Sequence, residues 1–105
     1  MVQVKVYSTT NNIQSILISG HANSGKRDEI DMVCAQVSAI AVGALNAIEK
    51  MTQDSCLIKM ESGLVRIDVK VNSEKLQTIL NTLIVQLDTV AFVNSKYIQI
   101  KKAEV

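Results

Sequence analysis

Apolar residues in this chain change their spacing as the sequence proceeds, and the order of those changes leaves few folds open. Val2, Val4 and Val6 alternate with Gln3, Lys5 and Tyr7, the period of a strand with one buried face. The polar run Ser8 to Asn12 reads as a five-residue turn, and Ile13 to Ser19 as the second strand of a hairpin. From Asp31 the spacing becomes helical. Val33, Val37, Ile40, Ala44, Ile48 and Met51 form one stripe, which predicts a helix from about Asp31 to Met51. Ser55 to Glu61 is a third strand, Ser62-Gly63 a turn, and Val65, Ile67, Val69 and Val71 alternate through a fourth. A second stripe, Leu76, Ile79, Leu80, Leu83, Ile84, Leu87 and Ala91, follows a cap at Asn72 or Ser73, and Lys96 to Lys102 ends the pattern as a short strand. The order is ββαββαβ. Its simplest packing sets two helices on one face of a five-stranded antiparallel or mixed sheet, an α+β fold.

A chain of 105 residues has room for one compact core, since folding at this size buries only about two-thirds of the unfolded surface. We therefore expect a single domain over residues 1–105. Hydrophobic residues make up 48% of the chain, yet Tyr7, Phe92 and Tyr97 are its only aromatics, so the core must be aliphatic. The net charge of +1, with no like-charge run longer than Lys26-Arg27 or Lys101-Lys102, argues against a protein that binds nucleic acid by neutralising phosphates. Met1 to Tyr7 lacks the apolar core of a signal peptide, and no apolar run approaches the ~20 residues of a membrane span. The expectation is a soluble, cytoplasmic protein without nucleic-acid or membrane partners, its two cysteines free thiols rather than a disulfide.

The residues that carry chemistry lie between Gly20 and Ser38. His21, the only histidine, leaves the end of the second strand, and Cys34 falls in the first turn of the first helix. With Asp31 as the N-cap, Cys34 is the third helical residue, where unsatisfied N–H groups and the helix dipole favour an anion and lower a thiol's pKa. A histidine nearby can protonate a leaving amine, so this Cys and His are the minimal machinery for acyl transfer from a peptide. Asp31 and Ser38 lie three residues before and four after Cys34, on the same helical face. Asp31 either orients His21 or only caps the helix; Ser38 either bonds within the site or back-bonds to the helix. An oxyanion hole would draw on the Cys34 backbone N–H. On residue types alone, a buried structural Cys and a structural His are an open alternative, and Cys56, within a strand, takes the structural reading. The spacings of His21, Cys34 and Cys56 match no metal-ligand pattern. The polar, aperiodic Ala22 to Ile30 reads as a loop.

Gly20-His21-Ala22, the glycine-bearing loop and Asp31-Met-Val-Cys-Ala-Gln-Val-Ser-Ala-Ile40 resemble the signature of the bacterial ribosomal-processing cysteine proteases, the Prp family. The likeness extends to length, element order and the closing Tyr97-Ile-Gln-Ile100. It implies His21 and Cys34 as a catalytic dyad, with Asp31 and Ser38 as supporting residues. The implied substrate is the short hydrophobic N-terminal extension of a large-subunit ribosomal protein; a cytoplasmic homodimer without a cofactor is implied as well. Gly20, Ala22 and Gly25 become candidate substrate-binding positions, with the loop a lid and Gly25 its hinge. The sequence departs from the family at Gln36, where Ala is usual, and at Glu29, where Gly is frequent; Gln36 should point away from the Cys34 face. A peptide can also bind by adding to a sheet edge. The alternatives are a non-catalytic binding module for ribosome assembly and a thiol-dependent acyltransferase.

Overall fold

The computed structural model describes residues 1–22 and 31–105. The elements are β1 (Val2–Thr9), β2 (Asn12–Ser19), α1 (Met32–Met51), β3 (Cys56–Glu61), β4 (Leu64–Val69), α2 (Glu74–Val93) and β5 (Ile98–Glu104). The strands form one sheet in the order β3-β4-β2-β1-β5. β1 pairs in parallel with β5 and antiparallel with β2, while β4 pairs antiparallel with both β2 and β3. The sheet is mixed, as one of the two expected forms, and both helices lie on one face.

Buried residues from every layer meet in the core: Val2, Val4 and Val6 of β1, Ile16 and Ile18 of β2, Ile67 of β4, Val37 and Ile48 of α1, Leu80 and Leu87 of α2. Each fully buried aliphatic of this size contributes about 1.5–3 kcal/mol. The α1 stripe sits slightly differently from the expected one. Ala41 and Leu45 are buried, Ile40 is only partly so, and Met51 is 60% exposed at the helix end. In α2, Gln77 joins the buried face while Ile79 and Ala91 are half-buried.

Two differences from the sequence reading have clear causes. The first hairpin turn has two residues, not five: Thr9 pairs with Asn12, leaving Thr10 and Asn11 at φ 43° and 69°. Both values belong to the left-handed geometry of tight hairpins, which asparagine tolerates well. The second lies in β2, whose inward residues switch from Ile13 to Ile16 because the register shifts, Tyr7 opposing Ser15 and Ser8 opposing Ile13. Gln14 is the extra residue of this bulge. The buried Gln77 side chain repairs the interrupted ladder: its Oε1 accepts from the Ile13 N–H at 2.8 Å and its Nε2 donates to the Ile13 carbonyl at 2.9 Å.

The expectation that no segment could span a membrane needs correcting on length and composition. Each helix is 20 residues long and apolar enough to cross one by those criteria. The reason is that their outward faces carry almost no charge as well. α1 has none before Glu49, and α2 has none between Lys75 and Asp88. Their inward stripes are spent on the core of the sheet.

Candidate active site

The chain leaves β2 through Gly20, which stands at φ +88° and donates its N–H to the Gly63 carbonyl at 2.9 Å. A Cβ at Gly20 would lie 2.5 Å from the Met1 carbonyl oxygen. Only glycine meets both demands, so this position has a backbone reason for its identity apart from any contact with substrate. His21 follows, exposed, with its ring resting on the β3–β4 turn: the position of a Cβ at Gly63 is 3.0 Å from Nε2. Ala22 turns its methyl into the core, at 4% exposure, and its N–H donates to the Cys34 sulfur at 3.0 Å.

That sulfur is held from the other side by the start of α1. Asp31 is the N-cap in extended backbone geometry, and its Oδ1 accepts from the Cys34 N–H at 3.0 Å. The Asp31 carbonyl takes the Ala35 N–H at 2.9 Å. Cys34 is thus the third helical residue, half-buried against the core. An N–H directed at the sulfur and the positive end of a twenty-residue helix both favour the thiolate over the thiol. The same cap engages the hydrogen that an oxyanion hole built on the Cys34 N–H would have used. Among the described residues, a main-chain donor that faces the sulfur is the Ala22 N–H, two residues past Gly20.

Ser38 is exposed one turn further along α1. Gln36 is exposed too, on a different face from Cys34. Gly25, Glu29 and the expected lid beyond Ala22 lie outside the described residues. Among the described residues no hydrogen bond joins the His21 ring to the Cys34 thiol, and none form a cluster of three or more metal-ligating side chains. Catalytic hydrogen bonds commonly tighten only when substrate is bound. Two contributors to the site were missed in the sequence reading. The Ala22 N–H carries no side-chain signal, and Gly63 reads there only as a turn residue.

Cys56 provides the contrast. It begins β3, half-buried, with the Ser55 hydroxyl donating to its sulfur at 3.7 Å. Burial pushes its thiol pKa up, the Asp68 carboxylate adds to the rise, and the Ser55 hydrogen bond and the Lys70 charge oppose it. On the open face of the sheet, the Asp68 carboxylate accepts from Arg66 Nε at 2.8 Å and from the Ser15 hydroxyl at 2.9 Å. The hydrogen bond from Arg66 holds Asp68 below the usual carboxylate range.

Comparison with known proteins assigns this arrangement to a family. The family model described as cysteine protease Prp matches residues 1–99. The ribosomal processing cysteine protease Prp of Staphylococcus aureus is 33% identical over 81 residues, which cover 74% of this chain and 76% of that protein. A crystal structure of an essential ribosomal processing protease Prp from S. aureus, in complex with a covalently linked product peptide, superposes with a TM-score of 0.89 at 28% identity. That match covers 98% of this chain and 100% of the other. The S. aureus protease in complex with a substrate peptide gives 0.86 at 26% identity, with the same coverage. From strand order to the two sequence blocks around His21 and Cys34, the chain belongs to the Prp family of cysteine proteases.

Proposed function

We propose that this protease is a cytoplasmic endopeptidase that removes the short hydrophobic N-terminal extension of a large-subunit ribosomal protein, with Cys34 as nucleophile and His21 as acid–base. The observation that carries this reading is the Cys34 sulfur, set in the first turn of α1 with the Ala22 N–H directed at it from 3.0 Å. The thiolate attacks the scissile carbonyl carbon. His21 gives a proton to the leaving amine as the carbon–nitrogen bond breaks, leaving an acyl group on the sulfur. His21 then takes a proton from water, which attacks the thioester and frees Cys34. Asp31 holds the first turn in place through its cap on the Cys34 N–H, and Ser38 stands one turn along the same face. Relatives crystallised with a substrate peptide and with a covalently linked product peptide support a peptide as the bound partner.

The proposed assembly is a homodimer. Its support is the outward face of the two helices, uncharged over most of its length, where Ile40, Gly43, Ala44 and Ala47 of α1 and Ile79 and Thr82 of α2 line a groove of about 500 Å³. Loss of charge at the centre of a surface patch is what distinguishes interface cores. The functional reading is tested by mass spectrometry of the precursor ribosomal protein incubated with the wild type and with Cys34→Ala. Loss of an N-terminal hydrophobic peptide with the wild type alone is expected. An uncut precursor with the wild type, or equal cutting by the variant, would overturn it.

A further inference from the structure

We propose that Gly63, in the turn between β3 and β4, is a positioning residue for His21, and that the lack of a side chain there sets where the imidazole rests. This rests on His21 being the acid–base of the reaction proposed above. Gly63 is 42 residues from His21 in sequence, yet the pairing of β2 with β4 sets Ser19 beside Leu64. The Gly63 carbonyl accepts from the Gly20 N–H at 2.9 Å, so the turn is bonded to the residue immediately before the histidine.

The contact itself is close. A Cβ at Gly63 would be 3.0 Å from His21 Nε2, 3.5 Å from Cε1 and 3.7 Å from Cδ2. The ring therefore lies with its Nε2 edge against the bare Cα. His21 is exposed, so burial does not set the orientation of its ring. The Gly63 backbone, at φ +71°, adopts the left-handed conformation that L side chains resist. Any side chain there moves the ring off the turn by a few tenths of an ångström or rotates it about χ1. Proton transfer to a leaving amine tolerates little of either, since displacements near 1 Å cost about a hundredfold in rate. Gly20 and Gly63 thus have different duties: the first lets the chain pass Met1, the second leaves room for the imidazole.

Gly63→Asn separates geometry from strain, because asparagine accepts left-handed backbone yet carries a Cβ. The expected result is a folded protein whose kcat on a hydrophobic-extension peptide falls by about three- to tenfold, with KM little changed. As the sole histidine, His21 gives a single pair of imidazole C–H signals, which should move in chemical shift. In a His21→Ala background the same substitution should cost nothing further. Wild-type kcat and an unmoved His21 signal in Gly63→Asn, alongside an inactive His21→Ala, would overturn the positioning role while leaving the dyad standing. Full activity of His21→Ala would instead overturn the dyad, and the positioning role with it. If the asparagine variant fails to fold, chain synthesis with D-alanine at position 63 decides: its methyl occupies the other Cα position from the Cβ that would meet the imidazole, and its backbone favours positive φ. Near wild-type kcat is expected there, and a loss of about threefold or more in the folded D-alanine protein would contradict the proposal.

Discussion

The two helices begin in the same way and end up with different tasks. Asp31 caps α1 by accepting from the Cys34 N–H at 3.0 Å, and Ser73 caps α2 by accepting from the Leu76 N–H at 3.1 Å. The third helical residue is a half-buried cysteine in one and a fully buried leucine in the other. A helix N-terminus is thus not a site by itself, because α2 has the same dipole and the same cap. What distinguishes α1 is the exit of β2, which brings the Ala22 N–H onto the sulfur and leaves His21 at the sheet end on the glycine of the next turn. Leu76 instead sits under the sheet as core.

Substitutions at these paired positions should separate activity from stability. Cys34→Ala is expected to lower peptide cleavage by on the order of 10⁴-fold or more, while changing unfolding free energy by no more than about 1 kcal/mol. Chemical denaturation and a cleavage assay on the same preparation check both halves. Leu76→Ala should do the reverse, losing about 2–5 kcal/mol of stability with kcat per folded molecule unchanged; a large fall in kcat would break the comparison. The caps come next. Asp31→Ala and Ser73→Ala should each cost about 0.5–2 kcal/mol, but only Asp31→Ala should also slow cleavage, by about tenfold. Equal turnover in the two variants would mean that the cap contributes nothing to the placement of Cys34.

The two thiols extend the comparison. Near neutral pH, iodoacetamide should modify Cys34 at least about tenfold faster than Cys56, because burial raises the Cys56 pKa while the Ala22 N–H is directed at the Cys34 sulfur at the start of α1. Peptide mapping of a time course reads the ratio, and equal rates would contradict the description of the α1 terminus. The smallest effect concerns the far face of the sheet. Asp68 has a depressed pKa, held down by the hydrogen bond from Arg66. Its contribution is present above the unfolded carboxylate pKa and lost as pH falls through the folded value. Asp68→Asn should therefore flatten the acid side of the stability profile slightly, with cleavage at neutral pH unaltered.

Legibility in the sequence followed the range of the interactions. Both caps were readable because capping is local: Asp31 and Ser73 each bond an N–H three residues on. The element order, the helix limits and the two sequence blocks of the family came from periodicity and motif. The bulge at Gln14 was hidden, since the group that stabilises it, Gln77, is 64 residues from Ile13. The contact of Gly63 with His21 was hidden for the same reason, because it exists only once β2 and β4 pair. Asp31 as cap and an oxyanion hole built on the Cys34 N–H draw on the same hydrogen, which here is donated to Asp31; that overlap is readable from sequence alone.

The most direct test of the nucleophile proposed here is intact-protein mass spectrometry after rapid acid quench, with the hydrophobic-extension peptide as substrate and peptide mapping of any adduct. The account predicts an acyl adduct on Cys34 that forms and decays with turnover, with none on Cys56 and none in Cys34→Ala. Undiminished cleavage by Cys34→Ala, or an adduct confined to Cys56, would contradict it.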